Sequence, residues 1–484
     1  MLKRRDFIRA SAAGIFTTNL WPQVSATTSR ANDRIGVGVI GLGIMGFSHL
    51  QHLTYNRDNW NIEPRAGCDV YDPLRVRAAS FVQKQTGHDL ATYNNFPDLL
   101  SRQDIDAVFI VTPDHWHAPM LVEACKAGKD IYVQKPISVD TYESRMMVQA
   151  VRKYHRVCQV GTQQPSWKHF MEAIALVRSG ILGKIAEVKT FIYGMNIFPG
   201  PFNSPFTEPP AGLDWQMWLG PVAHPPFGPP DEFNPDIFGV YIKTGSQERS
   251  GYGDNFRSGN WEIRQEGTWR LFWPAGGLQT DWGIHLTDIV LRAMQATGPI
   301  SVSSHGRNFI YHDNRQVPDM QSTVWEFSDF LCRFELRSGN GYSYEGLPDK
   351  WDRSHGIVFY GTAATLFANR SGYVVYPEPG KKIKLPFVEI EKKDGTKEKV
   401  MGGVNDGKGD DAHAKNFFDC MRSRKDPIAP IEGGRYATDM CIAANAAMRC
   451  GKRLDWDPET GTTTETAAHP YLRLTYREPW RLEI

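Results

Sequence analysis

The chain has 484 residues, 41% of them hydrophobic and 23% charged, which is the ordinary composition of a soluble globular protein. Its length exceeds what one average core requires and predicts two domains with additional segments. The 55 Lys and Arg against 54 Asp and Glu give a formal net charge of +1, which excludes the basic excess typical of nucleic-acid binding. The 14 Trp, 18 Tyr and 25 Phe fit either a large core or a carbohydrate site, where flat rings pack on the apolar faces of sugars.

The first residues predict export. A twin-arginine cluster, Lys3-Arg4-Arg5-Asp6-Phe7-Ile8, precedes a mildly apolar stretch from Ala10 to Leu20, and Val24-Ser25-Ala26 places small residues where a signal peptidase cuts. Residues 1–26 are therefore predicted to be a twin-arginine signal peptide, and the mature protein to be periplasmic or secreted. The alternative is a basic amphipathic N-terminal helix.

Seven cysteines are scattered along the chain with no C-x-x-C pair. An odd number without metal-binding spacing argues against a disulfide scaffold and against a zinc site, so we expect buried free thiols and no metal. The twin-arginine route carries folded proteins, often with the cofactor bound, and is compatible with such thiols. No other segment has the ~20 consecutive apolar residues of a membrane span, so no stable membrane anchor is expected.

From Arg34 the pattern alternates between apolar runs and helical stretches, which is typical of a parallel, doubly wound sheet. The sequence predicts a Rossmann domain over residues 34–160. Its predicted strands are 35–40, 65–70, 107–111, 130–133 and 157–160, and a helix is predicted at 119–127.

After Gly161 the pattern changes to that of an α+β domain with a mostly antiparallel sheet, predicted over residues 161–450. A Pro-, Gly- and aromatic-rich region from Asn196 to Gly267 is too long for a simple connection and predicts a functional loop or lid. An irregular tail is expected over residues 451–484. Strands are predicted at 185–192, 301–304, 322–327, 331–336 and 356–360, and helices at 412–423 and 436–448.

A glycine-rich turn predicts a dinucleotide site. Gly41, Gly43 and Gly46, with Ile44 and Met45 between them, fit G-x-G-x-x-G directly after a strand and before a helix, where backbone amides approach a pyrophosphate. Asp69, at the end of the next strand, is placed to bind a ribose hydroxyl and favours NAD, because a carboxylate repels a 2′-phosphate.

Arg75 or Arg77 could still accommodate a 2′-phosphate, so NADP stays open. The spacing from the glycines to Asp69 is longer than usual, which an extended first helix would explain.

Three further motifs make a family resemblance specific. They are Thr112-Pro113-Asp114-His115-Trp116-His117, Gln134-Lys135-Pro136, and the run from Gly276 to His285, Gly-Gly-Leu-Gln-Thr-Asp-Trp-Gly-Ile-His. Together with the glycine-rich turn they resemble the glucose–fructose oxidoreductase / inositol dehydrogenase / MocA (Gfo/Idh/MocA) family, over about residues 34–450. The Thr112–His117 and Gln134–Pro136 motifs are especially similar to a secreted branch of that family.

The resemblance implies roles for individual residues. Lys135 would stand beside the nicotinamide, aimed by a commonly cis Pro136, and a buried lysine of lowered pKa can remove a hydroxyl proton and steady the oxyanion. Asp281 and His285 would bind substrate hydroxyls and transfer protons, with His285 as the acid/base. Since they are four residues apart, they would share one face of a helix. Thr112, Pro113, His117 and Gln134 would border the cofactor.

For other residues the sequence leaves two possible roles open. Gln163, Gln164, Trp269 and Arg270 either line the substrate site or have simple packing roles, and His413 and Lys415 are expected to be structural. Gln134 stands where the family most often has Glu. The loss of that charge beside Lys135 would ease deprotonation of the lysine.

An exported enzyme has little free dinucleotide around it, so a cofactor that stays bound and is oxidised and reduced within one cycle is expected. The sequence therefore predicts an NAD(P)-dependent oxidoreductase acting on a sugar, glycoside or polyol. A redox-neutral glycosidase is the first alternative. In that reaction a hydroxyl is oxidised to a ketone, the aglycone is eliminated, water adds and the ketone is reduced, without the carboxylate pair of ordinary glycosidases.

Two other hypotheses stay open. One is a non-catalytic sugar-binding protein on the same fold, and the other is a cytoplasmic dehydrogenase whose N-terminus imitates a signal. The family resemblance also implies a homo-oligomer, formed through the sheet of the second domain.

Overall fold

A computed structural model describes residues 34–194, 208–222, 241–242, 262–263, 268–343, 348, 351–392 and 395–484. The predicted signal peptide and most of the predicted 196–267 loop lie outside the described residues. Residues 35–484 form one compact unit. Among the described residues, no helix is both long and apolar enough to cross a bilayer.

The N-terminal part is a six-stranded parallel sheet. Its strands are β1 (Ile35–Ile40), β2 (Ile62–Cys68), β3 (Ala91–Tyr93), β4 (Ala107–Ile110), β5 (Asp130–Val133) and β6 (Cys158–Val160). Its helices are α1 (Ile44–Tyr55), α2 (Arg57–Trp60), α3 (Asp72–Thr86), α4 (Phe96–Leu100), α5 (His117–Lys126) and α6 (Thr141–Lys153). The strand order is β3-β2-β1-β4-β5-β6.

Both faces of this sheet are buried, as expected for a doubly wound fold. Val108 and Ile110 of β4 pack in a cluster with residues of α4, α5 and α6, whereas Phe109 between them packs on the opposite side with residues of α1 and α3. The run of apolar residues in β4 follows from this burial on both faces. The predicted α/β class and the parallel sheet are confirmed.

The second sheet has eleven strands and is antiparallel except between two neighbours, β7 and β12. Its strands are β7 (Ile185–Tyr193), β10 (Ser301–Arg307), β11 (Met320–Glu326), β12 (Leu331–Arg337), β13 (His355–Gly361), β14 (Ala364–Asn369), β15 (Gly372–Pro377), β16 (Phe387–Glu391), β17 (Lys397–Val404), β18 (Leu454–Asp457) and β19 (Thr462–Thr463). A separate pair joins β8 (Tyr241–Ile242) to β9 (Glu262–Ile263).

The helices of this second part are α7 (Lys168–Arg178), α8 (Trp215–Leu219), α9 (Gly277–Asp281), α10 (Gly283–Met294), α11 (Gly409–Ser423) and α12 (Ile431–Cys450). Residues of α7, α10 and α12 pack on one face of the eleven-stranded sheet and form its main core. The mostly antiparallel second sheet is thus as predicted.

Three features differ from the sequence-based expectations. The short strand β3 and the strands β14 to β17 were not predicted. Helix α11 lies in the predicted second domain, yet its Phe417 and Phe418 pack into the core of the first sheet, next to Phe109. Strand β2 begins at Ile62 and includes Pro64, opposite a shift in register between Val37 and Gly38.

The tail after residue 450 is ordered, in contrast to the prediction. Strand β18 pairs with β10 and extends the second sheet, and residues 466–471 form a 3₁₀ helix. The last residues return to the first sheet, where the amide of Leu474 donates to Asp140 at 2.7 Å and Trp480 packs edge-on against Trp116 with ring centroids 4.8 Å apart. Burial of apolar surface on both sheets orders a segment whose local pattern is irregular.

We expect Trp480→Ala to lower the free energy of unfolding by about 1–2 kcal/mol, because an aromatic pair contributes ~0.5–1.5 kcal/mol beyond its buried area. Urea unfolding followed by circular dichroism measures this change. The control is Val76→Ala on α3, whose side chain is 65% exposed and whose loss should cost less than ~0.5 kcal/mol. Equal stabilities of the two variants would show that the tail does not support the fold.

Candidate functional site

The glycine-rich turn lies where the order of the parallel strands reverses, between β1 and β4. Gly41 has a φ of +88°, and a Cβ on it would lie 2.5 Å from the carbonyl oxygen of Val111. A Cβ on Gly46 would lie 1.8 Å from the carbonyl oxygen of Gly41. Only glycine fits at these two positions, and the crevice at such a reversal is where open α/β sheets bind ligands.

Helix α1 begins at Ile44, without a side-chain cap from Gly43, so its positive end faces this crevice. Met45, the next residue, is exposed. The cradle therefore has the close backbone approach and the helix dipole that a pyrophosphate requires.

Asp69 directly follows β2 and is hydrogen-bonded to the turn. Its carboxylate accepts from the amide of Leu42 at 2.7 Å and from the amide of Tyr71 at 2.9 Å. Burial raises the pKa of Asp69, and these amides and the charges of Arg77 and Arg75 oppose the increase. Asp69 thus lies beside the glycines, where a ribose is expected.

Arg75 and Arg77, which could accommodate the 2′-phosphate of NADP, make contacts within the nucleotide-binding domain. Arg77 donates to the carbonyl of Leu42 at 2.6 Å and stacks on Phe47, and Arg75 pairs with the carboxylate of Asp72. Helix α1 is followed by the short helix α2 rather than extended, and this accounts for the long spacing between the glycines and Asp69.

Thr112 and Pro113 follow β4, and His117 begins α5. The His117 ring is fully buried. Its Nδ1 lies 2.7 Å from the carbonyl oxygen of Pro136, and its Nε2 lies 2.9 Å from that of Thr112. Burial lowers its pKa to about 4, against the effect of these two contacts. His117 therefore links the loop after β4 to the loop after β5 that carries Lys135.

Lys135 joins the two sheets of the molecule. The Lys135–Pro136 peptide bond is cis, and the ammonium donates to the carboxylate of Asp281 at 2.6 Å and to the carbonyl of the same residue at 2.7 Å. Arg270 Nε donates to the same carboxylate oxygen at 2.8 Å. The structure thus brings together Lys135, Asp281 and Arg270, which the sequence places far apart.

The charges in this cluster are strongly coupled. Burial lowers the pKa of Lys135, and Arg270 adds to that effect while Asp281 opposes it. Burial alone would raise the pKa of Asp281, but the charges of Arg270 and Lys135 and their hydrogen bonds hold it below its usual range. A lysine of lowered pKa beside a permanent carboxylate can bind a substrate oxygen and move a proton.

Asp281 and His285 do not share one continuous helix, and the prediction on this point was wrong. Asp281 ends α9 and His285 lies in α10, with a break at Trp282. Gly283 follows the break, and glycine is a poor helix former. His285 is still close to the cluster, because Lys135 lowers its pKa and Asp281 raises it, after the dominant lowering by burial.

Gln134 does not act on the lysine ammonium as the sequence suggested. Its side-chain nitrogen lies 2.6 Å from Nε2 of His49, and its oxygen accepts from the backbone amide of Lys135 at 3.3 Å. A Cβ on Gly161 would lie 2.6 Å from that oxygen. The ion-pair partner of Lys135 is Asp281, which lies in the second part of the chain.

The residues for which the sequence left two roles open prove to have different roles. Trp269 is buried in an aromatic cluster with Trp215 and Trp218, whereas Arg270 is in the site. Gln163 is half-buried at the start of a 3₁₀ helix at the crevice side of β6. His413 is buried, with Nε2 3.0 Å from the carbonyl oxygen of Val160, as a structural residue would be.

Three residues near the site, Asp114, Arg370 and His355, were not named as candidates from the sequence. Asp114 has a buried carboxyl oxygen with no partner among the described residues, and burial raises its pKa well above the usual range. In the amide orientation that satisfies both of its neighbours, Gln164 donates to the carbonyl of His285 at 2.8 Å and accepts from Arg370 at 3.3 Å. His355 packs against Trp282, at the break between α9 and α10. Asp114 stood in a quoted motif, whereas Arg370 and His355 have no local signal.

The described part of the chain has no group of three His, Cys, Asp or Glu side chains arranged to hold a metal ion. Its seven cysteines are free, and six of them are buried, as predicted.

Comparison with known proteins relates the N-terminal domain to one family. Residues 35–162 match the oxidoreductase family with an NAD-binding Rossmann fold called Gfo/Idh/MocA. A glycosyl hydrolase family 109 protein of Shewanella sp. (strain W3-18-1) is 29% identical over 210 residues, which are 38% of this chain and 44% of that protein. The chain therefore matches less than half the length of this relative.

Solved structures share the whole fold. Levoglucosan dehydrogenase in complex with NADH and levoglucosan has a TM-score of 0.57 at 16% identity, over 87% of this chain and 99% of that one. The apo scyllo-inositol dehydrogenase of Lactobacillus casei has a TM-score of 0.55 at 16% identity, over 88% and 99% of the two chains. Residues 35–162 thus match the Gfo/Idh/MocA oxidoreductase family with its NAD-binding Rossmann fold, and the rest of the chain shares the fold of these dehydrogenases.

Proposed function

We propose that this protein is an NAD(P)-dependent oxidoreductase that acts on a hydroxyl-bearing carbon of a sugar, glycoside or polyol. The observation that carries the proposal is the buried Lys135–Asp281 pair at the carboxyl edge of the nucleotide-binding sheet. This edge is where the cofactor of such a fold binds. A carbohydrate substrate is supported by the sugar and inositol dehydrogenases that share the fold.

The residues present fit a dinucleotide. Gly41, Gly43 and Gly46 with the start of α1 would hold the pyrophosphate, and Asp69 would hold a ribose hydroxyl. Thr112, Pro113 and Gln134 lie at the ends of neighbouring strands and would border the nicotinamide end. When bound, the nicotinamide accepts a hydride from the substrate carbon.

The chain's own residues handle the oxygen and the proton. Lys135 donates a hydrogen bond to the substrate oxygen and steadies the negative charge that develops there. Asp281 and Arg270 fix the position of this ammonium, since both bind at the same carboxylate oxygen. His285 takes the hydroxyl proton as the general base, and the low pKa of its ring lets it release the proton again.

Export through the twin-arginine route fits this assignment. Six of the cysteines are buried, and burial raises the pKa of Cys125 and Cys441 to about 12, so reactive thiolate is scarce in an oxidising compartment. An exported enzyme would keep its cofactor bound and regenerate it within one cycle. A homo-oligomer through the second sheet is part of the same proposal.

Redox-neutral cleavage of a glycoside is a second candidate. It is favoured by the 29% identity with a protein named as a glycosyl hydrolase of family 109. In this chemistry oxidation of a hydroxyl to a ketone acidifies the neighbouring C–H, and the aglycone then leaves by elimination. The same Lys135 and His285 would serve both reactions.

We expect purified protein expressed without residues 1–26 to contain stoichiometric NAD(H). Absorbance and mass spectrometry of acid-denatured protein, after gel filtration with light scattering, measure both the nucleotide and the oligomeric state. Gly46→Val is the control and should be empty, because a Cβ there meets the carbonyl oxygen of Gly41. An empty wild-type protein with weak affinity for added NAD would contradict the closed redox cycle.

We expect Asp281→Asn to lower kcat at least about tenfold and to move the rise of activity with pH to lower pH. The carboxylate raises the pKa of both Lys135 and His285, so its removal lowers both, and whichever base must be deprotonated becomes so at lower pH. The pH dependence of kcat/KM on a sugar panel measures this shift.

The matched control for that variant is Asp419→Asn. Lys415 and Asp419 make an ammonium–carboxylate contact of the same 2.6 Å, but both side chains are half exposed. Its pH profile should equal that of the wild type. A rise that moves to higher pH in Asp281→Asn would contradict the assigned electrostatics, and unchanged function of Lys135→Ala would favour a non-catalytic sugar-binding protein.

Replacing Arg4 and Arg5 by lysine should retain the protein in the cytoplasm, because the twin-arginine pair is what the export route reads. Cell fractionation followed by immunoblotting measures the distribution. Lys3→Arg is the control and should be exported. If the wild type itself stays in the cytoplasm, the signal assignment is wrong.

A further inference from the structure

A second histidine, which the proposed mechanism does not use, lies close to His285. His355 at the start of β13 is 1% exposed, and its ring centroid lies 5.1 Å from that of Trp282. The His285 ring lies 5.8 Å from the same indole. The two histidines thus contact one side chain and interact electrostatically, since His355 contributes to the lowered pKa of His285.

Each of these histidines has one buried nitrogen without a partner in the described part of the chain. The atoms are Nδ1 of His285 and Nε2 of His355. A buried polar group without a hydrogen bond costs about 1–3 kcal/mol, so such a group in a native protein has a functional reason or binds water. Both of these atoms belong to rings that pack against the Trp282 indole.

His355 is oriented like the base of a catalytic dyad. Its Nδ1 lies 3.2 Å from the carboxylate of Asp352, and Ser354 Oγ lies 3.3 Å from the same nitrogen. A carboxylate at Nδ1 fixes the ring proton there and leaves Nε2 as the acceptor. The other end of this dyad reaches solvent, because the Asp352 side chain is 50% exposed.

We propose that Asp352 and His355 form a proton relay that connects His285 to solvent. This inference rests on the proposed function for its chemistry. His285 accepts the hydroxyl proton at Nε2 and releases the proton of Nδ1 to Nε2 of His355, directly or through one water. His355 releases a proton to water at the exposed end of the dyad, where the Asp352 carboxylate stays ionised and stabilises the charged ring, so one proton enters and one leaves. The reverse sequence returns the proton when the substrate is reduced.

Further groups hold His285 in the geometry that the relay needs. Gln164 donates to the carbonyl of His285, and Arg370, which binds Gln164, also stacks on Trp282 at 4.2 Å. The charged groups that act on His285 are Lys135, Arg370 and Asp281, besides His355 itself. Because burial, and after it the two cations, lower the pKa of His285, its ring holds a proton weakly and depends on a second acceptor.

Kinetics test the relay in His355→Asn and Asp352→Asn. We expect kcat to fall about tenfold or more in His355→Asn, with KM unchanged within twofold, a larger solvent deuterium isotope effect, and recovery of activity with added imidazole. Asp352→Asn, at a half-exposed position, should show the same signs to a smaller degree. His305→Asn on the exposed side of β10 is the control and should behave as the wild type.

A second readout does not depend on turnover. In ¹⁵N-histidine spectra of the full chain, His355 should carry its proton on Nδ1, Asp352→Asn should change this tautomer, and His355→Asn should shift the His285 signals. Unmoved His285 signals, or wild-type kcat without imidazole recovery in His355→Asn, would overturn the relay. If the wild type turns over no carbohydrate, the proposed function fails, and the spectra alone still decide the relay.

Discussion

The ion pair between Lys135 and Asp281 is the contact on which the site depends. It joins the loop after β5 of the first sheet to the end of α9 of the second part, across 146 residues of sequence. Both side chains are at most 14% exposed, so removal of Asp281 would leave the Lys135 ammonium without its carboxylate in a poorly hydrated place, at a cost of about 3–5 kcal/mol. The pair is therefore both a structural joint and a chemical centre.

Other contacts at the joint are arranged around this pair. Arg270 shares the carboxylate oxygen of Asp281, and His117 holds the loop that carries Lys135 through the carbonyl of Pro136. The turn of Gly41 meets the strand end at Val111 on the other side of the same crevice. A movement of the second part relative to the first would thus change the charge environment of the lysine directly.

The parts of the structure that the sequence predicts are those with local signals. The motifs around Gly41 and Lys135 are short, and each lies at the end of one strand, so their positions followed from the apolar runs before them. The first sheet was predictable for the same reason, since β1, β4 and β5 are buried on both faces and read as continuous apolar runs.

The parts that could not be predicted depend on distant pairings. Arg370 and His355 reach the site only because β13, β14 and β15 fold against β7, and nothing near them in sequence points to His285. The break between α9 and α10 and the packing of Phe417 on the first sheet are likewise set by tertiary contacts. A family resemblance predicts the roles of the positions that match its motifs, but it predicts no role for residues outside those motifs.

The docking of the tail has a consequence for when the molecule can fold. Leu474 completes the hydrogen bonding of Asp140, a residue 334 positions earlier that also caps the start of α6. Strand β18 likewise pairs with β10 only after about 150 further residues have been added to the chain. The native contacts of Asp140 and β10 therefore cannot be completed during synthesis until residues 454–474 have left the ribosome, long after the first sheet has emerged.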